Sequence, residues 1–276
     1  MEIGVINHLT IDRKAEPGAF LVDEEGNDVL LPNRYLTTEM VVGTSVDVFI
    51  STDSEDRLVA TTELPCAFKD EFGLVYVVDT TPFGAFVEWG LPKDLFVPKK
   101  YQKTPFKVGD KRIVRILLDE QTQRLVGDER IGHYLSKETK NLKRFEEVSI
   151  FVVAKTPLGF KVVVNNMYEG QLFTNEIFKK IYVGEKLQAF VKHIRPDGKL
   201  DISLSPIGEQ KRDIHAQKVL DTIEALGGQV GLTSKSESED IYRLFGISKK
   251  AFKASLTALQ AEGKITLSPS GVSLSV

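Results

Sequence analysis

A threefold internal repeat constrains this 276-residue chain more than any other feature. A glycine sits in a short strand-like run three times: Gly18 in PGAFLV at 17–22, Gly84 in PFGAFVEW at 82–89 and Gly159 in PLGFKVVV at 157–164. A second glycine follows 25 residues after each first one, at Gly43, Gly109 and Gly184, in the tripeptides ValGlyThr, ValGlyAsp and ValGlyGlu. Alternating runs come next: SVDVFI, KRIVRILL and KLQAFVKHI. A turn then leads to a basic residue and a leucine: Arg57 and Leu58, Arg124 and Leu125, Lys199 and Leu200. Shared spacing and shared chemistry at four landmarks mark one structural unit used three times.

Each unit spans roughly 65 to 75 residues and shows about five short alternating runs bounded by turn residues. In the second unit the pattern predicts strands near 72–79, 83–89, 94–97, 111–118 and 124–129. Five short strands in this length fit a closed or nearly closed small barrel. Between strands three and four, NRYLTTEM, KKYQKTPF and NEIFKKIY predict a helical turn, which Tyr101 and Phe178 would pin to the barrel. The first glycine of each pair is expected to let the second strand bend sharply.

From Gly208 onward the pattern becomes helical. DIHAQKVLDTIEALGG puts Ile214, Val219, Ile223 and Leu226 toward one face and stops at Gly227 and Gly228. SESEDIYRLFG predicts a second helix. A third would start at Ser248 as N-cap, with Phe252, Leu256 and Leu259 as its apolar stripe. KITLSPSGVSLSV reads as a hairpin turned at Ser268 to Gly271. The expected fold is therefore multidomain and mostly β. It has three tandem five-stranded OB-fold barrels, at 1–65, 66–139 and 140–207, and an α+β C-terminal winged-helix domain at 208–276.

Net charge is −3, which is not the basic balance common among nucleic-acid binders. Its distribution is uneven. The four segments carry −9, +1, +4 and +1 in chain order. An anionic partner would avoid the first unit and favour the middle. The single cysteine, Cys66, excludes an internal disulfide framework. No apolar run reaches membrane-spanning length, and MEIGVINHLTIDRK lacks a signal-peptide pattern. A cytoplasmic location is the expectation. His8, His133, His193 and His215 are scattered, with no partner at metal-ligand spacing. There is no phosphate-binding glycine loop and no GxSxG turn. The expectation is no catalysis, no metal and no cofactor.

The run GLVYVVDTTPFGAFVEWGLPKDLFVP, with KVGDKRIVRILLD and QRLVGDE, resembles an S-one RNA-binding domain of the ribosomal type. The third unit resembles it through EGQLF, VGEKLQAFVKHI and GKLDISLS, and the first is the most diverged. Three such units and a winged helix resemble the conserved virulence factor B family of bacterial S-one proteins over essentially the whole chain. That resemblance implies single-stranded RNA as partner and a role in regulating gene expression.

The resemblance also implies site residues. In the second unit Phe83 and Phe86 would stack bases, Arg124 would be the basic residue, Asp119 or Glu120 the acidic one, and Val97 would occupy the family's histidine place. In the third unit Leu158 and Lys161 replace the rings, while Phe173, Arg195 and Lys199 take the histidine, acidic and basic places. The first unit keeps Phe20, Asp53 and Arg57, with Pro17 and Leu31 at the remaining places. Lys99, Lys100 and Arg112, near Lys103 and Arg115, are candidate phosphate contacts, as are Lys249, Lys250 and Lys253 at the start of the last helix. Plainer readings stand beside these. Phe86 or Phe173 could face a core, since alternation sets only relative facing, and lysine-rich surfaces are commonly just solvated. The acidic first unit reads as structural or protein-binding. The alternatives are a scaffold for ribosome or RNA-decay machinery, or a DNA-binding regulator acting through the winged helix. Oligomeric state is left open.

Overall fold

The structure, a computed structural model, describes residues 1–174, 177, 180–206 and 209–275, with only the backbone path at 209–213. The first barrel comprises β1 (Ile6–Ala15), β2 (Gly18–Val22), β3 (Asp28–Pro32), β4 (Ser45–Thr52) and β5 (Leu58–Thr61). The second comprises β6 (Phe72–Thr81), β7 (Gly84–Glu88), β8 (Leu95–Pro98), β9 (Lys111–Asp119) and β10 (Arg124–Asp128). The third comprises β11 (Glu147–Thr156), β12 (Gly159–Val164), β13 (Tyr168–Phe173), β14 (Lys186–Ile194) and β15 (Leu200–Ser203). All three close with the same connectivity, the third strand pairing in parallel with the fifth.

The repeated glycines explain the closure. The first strand of each barrel bulges, with register shifts at Ile11/Arg13, Val77/Asp79 and Val152/Ala154. The second glycine of each unit meets that bulge. The N–H of Gly43 donates to the Ile11 carbonyl, Gly109 to Val77 and Gly184 to Val152, each at 2.8 Å. Their φ angles are +89°, +88° and +91°, a region that glycine enters without steric cost. The first glycine does a different job from the expected bend. A Cβ there would lie 2.0 Å from the Leu31 carbonyl oxygen at Gly18, 2.4 Å from that of Val97 at Gly84, and 2.1 Å from that of Leu172 at Gly159. The second strand runs too close to the third for any side chain.

The barrels do not hang independently on a string. Phe49, in β4, packs against Phe68 and Trp89 at 6.0 Å and joins the second barrel's core. Phe72 stacks on Phe151 at 6.5 Å inside an apolar cluster with Ile113, Ile131 and Val163, which joins the second barrel to the third. Burying a side chain of this size contributes about 1.5–3 kcal/mol. The expected helical turns after strand three are single 3-10 turns at Asn33–Tyr35 and Lys99–Tyr101. Phe178 and Gly208 lie outside the described residues.

The C-terminal module contains α1 (Glu209–Ala225), β16 (Gln229–Val230), α2 (Ser238–Phe245), α3 (Lys249–Ala261), β17 (Ile265–Ser268) and β18 (Gly271–Leu274). Its sheet order is β16-β18-β17. Ser248 caps α3, its Oγ accepting from the Ala251 N–H at 3.2 Å. Phe252, Leu256 and Leu259 are buried as expected, and Phe245 stacks on Phe252 at 4.8 Å. The buried face of α1 differs from the expected one. It consists of Ala216, Val219, Leu220 and Ile223, while Ile214 and Leu226 are each 51% exposed. The spacing of the buried set is i, i+3, i+4, i+7, and Ile214, nine residues before Ile223, lies half a turn away around the helix.

Gly84→Ala should destabilise the second barrel by about 3 kcal/mol or more, because its methyl group would collide with backbone. Gly132→Ala, with open space around it, should stay within about 0.5 kcal/mol of wild type. Urea unfolding of both variants checks the contrast.

Candidate nucleic-acid interface

The second barrel displays aromatic rings on its outside. Phe83 sits in the β6–β7 loop and is 80% exposed. Thr81 Oγ1 accepts from the N–H groups of Phe83 and Gly84, at 3.3 and 3.2 Å. The Phe83 carbonyl accepts from the Lys99 N–H at 2.8 Å, which holds the loop beside the Lys99–Tyr101 turn. Phe86 points outward from β7 and pairs across the sheet with Phe96 of β8. Their rings are 5.2 Å apart, tilted by 47°. Lys99 and Lys100 are exposed, and neither has an acidic partner among the described residues. Lys100 lies over the Tyr101 ring at 4.8 Å.

One expected position is corrected by the register. Val97, assigned to the family's histidine place, is fully buried, as is Leu31 in the first barrel. Phe173 of the third barrel pairs with Gly159, so its counterparts opposite Gly84 and Gly18 are Pro98 and Pro32. A one-residue shift along a strand turns a side chain to the other face. The outward positions of β8 are Phe96 and Pro98.

The remaining candidates fall into separate groups. Arg124 reaches the first barrel and grips Asp56 with two nitrogens, the Nε bond being 2.6 Å. The hydrogen bond from Arg124 holds the Asp56 carboxyl below the usual range. Phe86 and Arg124 both line a half-open cleft of about 900 Å³ between the first two barrels. Arg112 lies elsewhere, in a groove of about 610 Å³ between the second and third barrels. Its guanidinium bonds to Asp110 at 2.7 Å and Glu129 at 3.0 Å, and covers Phe106 at 4.6 Å. On the third barrel Lys161 and Lys199 share Glu169, at 3.2 and 3.1 Å. Burial pushes the Glu169 carboxyl up, but the bonds from Lys199 and Lys161 outweigh that and hold it low. Arg195 pairs with Asp201 at 2.6 Å and stands 5.8 Å from the Phe173 ring centre. Lys161, Arg195 and Lys199 are thus each engaged by a carboxylate, with the two lysines sharing one. On α3, Lys250 and Lys253 are exposed, while half-buried Lys249 donates to the Lys235 carbonyl at 3.3 Å.

The candidate list from sequence omits Phe96, Arg34 and Lys93, all of which line the cleft. Phe96 was within reach of sequence reasoning, because a two-stranded register places it opposite Phe86. Arg34 and Lys93 come together only through the packing of one barrel on the next.

A buried ion pair braces the end of the second barrel. Asp128 is fully buried and accepts from Arg130 at 2.7 Å and from the Tyr134 hydroxyl at 2.5 Å. Burial alone would raise its pKa, but the bonds from Arg130 and Tyr134 win and hold it below the ordinary carboxylate value. The Tyr134 hydroxyl is pushed up by burial and by the neighbouring Asp128 charge. Arg130 also covers the Tyr101 ring at 4.6 Å, so this brace holds the turn that carries Lys99 and Lys100.

Three closed five-stranded barrels of one connectivity, the second with outward rings, followed by a winged helix, define a tandem S-one-type OB-fold protein. Residues 3–63 match the family described as S1 domain, and residues 217–274 match the CvfB-like winged helix domain. The resemblance to the conserved virulence factor B family is borne out by these matches and by the relatives. The chain is 27% identical to the Bacillus subtilis protein YitL over 265 residues, covering 93% of this chain and 88% of that one. It is 24% identical to conserved virulence factor B of Staphylococcus epidermidis over 244 residues, covering 83% and 82%. A solved Streptococcus pneumoniae structure, described as a multidomain protein with nucleic acid binding domains, is 26% identical. It covers 99% of this chain and 98% of that one at a TM-score of 0.41. Both matched domain types are nucleic-acid-binding modules rather than catalytic ones.

Asp128→Asn should cost about 3 kcal/mol at neutral pH, since it leaves Arg130 and Tyr134 facing an uncharged partner in a buried site. Because the folded carboxyl is held low, its contribution is complete above the ordinary aspartate value of 3.8 and is lost as pH falls through the lower folded value. Denaturation of wild type and variant across pH 3 to 7, roughly the carboxylate window, should show the two curves converging toward the acid end.

Proposed function

We propose that this chain is a non-catalytic, cytosolic, single-stranded RNA-binding protein that regulates gene expression after transcription. The observation that carries the reading is the row of outward rings, Phe83, Phe86 and Phe96, set beside Lys99 and Lys100. Unpaired RNA offers base faces for stacking and a phosphate chain for cations to follow. The second barrel supplies both on one side. The third barrel and the α3 lysines extend the contact, and linked weak sites add through effective concentration. The regulatory part of the reading is supported by the name of the staphylococcal relatives.

Stacking is worth roughly 1–3 kcal/mol per base. Replacing Phe83 and Phe86 together by alanine should therefore weaken binding of labelled single-stranded RNA by at least about tenfold. Both rings are exposed enough that the barrel should stay folded, which circular dichroism verifies. Filter binding with unchanged affinity would remove the second barrel from the RNA site.

A further inference from the structure

We infer that the cleft between the first and second barrels is a composite pocket for the bases of single-stranded RNA, one of whose walls is the acidic first barrel. This rests on the RNA-binding reading of the second barrel and adds a second wall to it. The argument begins with Phe86 and Phe96. The rings proposed to stack bases also line the cleft of about 900 Å³. That volume lies within the range of about 300–1,000 Å³ that encloses drug-sized ligands, enough for one or two bases. A strand lying on β7 and β8 therefore passes in front of the first barrel.

The facing wall has matching chemistry. Leu30 and Val59, register partners on β3 and β5, form an apolar surface. The guanidinium of exposed Arg34 sits over the buried Tyr35 ring, 4.6 Å from its centre. A guanidinium held in that way offers its outer face to a base, and no acidic partner is present for it among the described residues. Both walls carry cations: Arg34 and Arg57 from the first barrel, Lys93 and Arg124 from the second.

The lining carboxylates do not prevent this. Asp53 is bonded to Arg57 at 2.7 Å, and Asp119 caps its own turn through Thr122 at 2.8 Å. Asp94 is left to accept from the amino edge of a base. Such a near balance of charge suits base recognition, with the phosphates directed toward Lys99 and Lys100.

The cleft also contains a competitor. Arg124 occupies the basic place of the S-one pattern, but Asp56 of the first barrel already holds it. An RNA phosphate that takes Arg124 must displace a carboxylate. The first barrel thus supplies both a wall and a counterion that the RNA has to replace.

Fluorescence anisotropy of the full chain with a labelled, mixed-sequence single-stranded RNA tests this. Arg34→Gln and Arg34→Glu should both weaken binding, the latter by about tenfold, on the scale of one lost stacking contact. Asp56→Asn should tighten binding and steepen the salt dependence by about 0.7 in log–log slope, the value of one added phosphate contact to a single strand. Asp47→Asn removes the same charge outside the cleft and should leave that slope unchanged. RNA carrying 4-thiouridine should give cross-links within residues 30–35 or 57–60. Wild-type affinity in both Arg34 variants, with cross-links confined to the second barrel and the Phe83→Ala, Phe86→Ala protein weakened, would overturn the composite pocket and leave the RNA-binding reading standing. Absence of RNA binding by the wild-type chain would remove both.

Discussion

Each barrel in this chain is closed by one small latch, a glycine N–H donated to the carbonyl beside a bulge in the first strand, at 2.8 Å in all three copies. The bulge gives the first strand the bend it needs to pair with the second strand on one side and the fourth on the other. The glycine turn starts the fourth strand in register. Both partners are needed: a bulge alone leaves a carbonyl unsatisfied, and a positive φ alone has nothing to bond. The spacing of 25 residues between the paired glycines is the chain length that runs from the start of strand two, through strand three, to that latch. A side chain at the first glycine would push the second strand off the third, and with it the outer surface on which the rings stand.

The second constraint is how the barrels share their cores. Phe49 belongs to the first barrel by sequence and to the second by packing. Arg115 illustrates the cost of such sharing. It lies between Phe72 at 5.3 Å and Tyr134 at 4.9 Å, and reaches the Asn166 carbonyl of the third barrel at 3.3 Å. Its Nε is buried without a partner. Many basic side chains in the middle of the chain are used in this way, as braces for turns and junctions rather than as a free positive surface. Arg112, Arg130 and Arg195 are all held by carboxylates within 3.0 Å. A count of basic residues therefore overstates what is available to an anion, since a paired guanidinium presents little field beyond a Debye length of about 10 Å.

The repeat, the strand positions in the second unit and the winged-helix order were legible because they depend on local pattern. Ser248 as a cap and the Ser268–Gly271 hairpin follow from turn chemistry that acts within a few residues. Outward and inward facing were harder. Val97 and Phe173 look equivalent by alignment of residue types, yet the ladder places them one step apart. Alternation alone cannot detect such a slip, because it preserves the pattern while exchanging the faces. Ile214 failed for a related reason: apolar character at helical spacing does not reveal which stripe meets a partner. The pairing of Arg124 with Asp56, across 68 positions of sequence, is the least legible of all. It depends on two barrels docking, and docking is set by Phe49, Phe68 and Trp89 rather than by either charged residue.

A chain of net charge −3 is a poor ligand for duplex nucleic acid. Duplex affinity comes mainly from neutralising many phosphates, and a duplex hides its base faces in the stack. The same surface suits an unpaired strand better. On the proposed reading the rings on β7 and β8 stack on base faces, which only a single strand exposes, and a few lysines suffice once stacking carries the larger share of the energy. On that same reading the low bulk charge is a source of discrimination. It removes the nonspecific phosphate attraction that a basic surface would extend to any polynucleotide, and leaves affinity to depend on bases free to leave their stack.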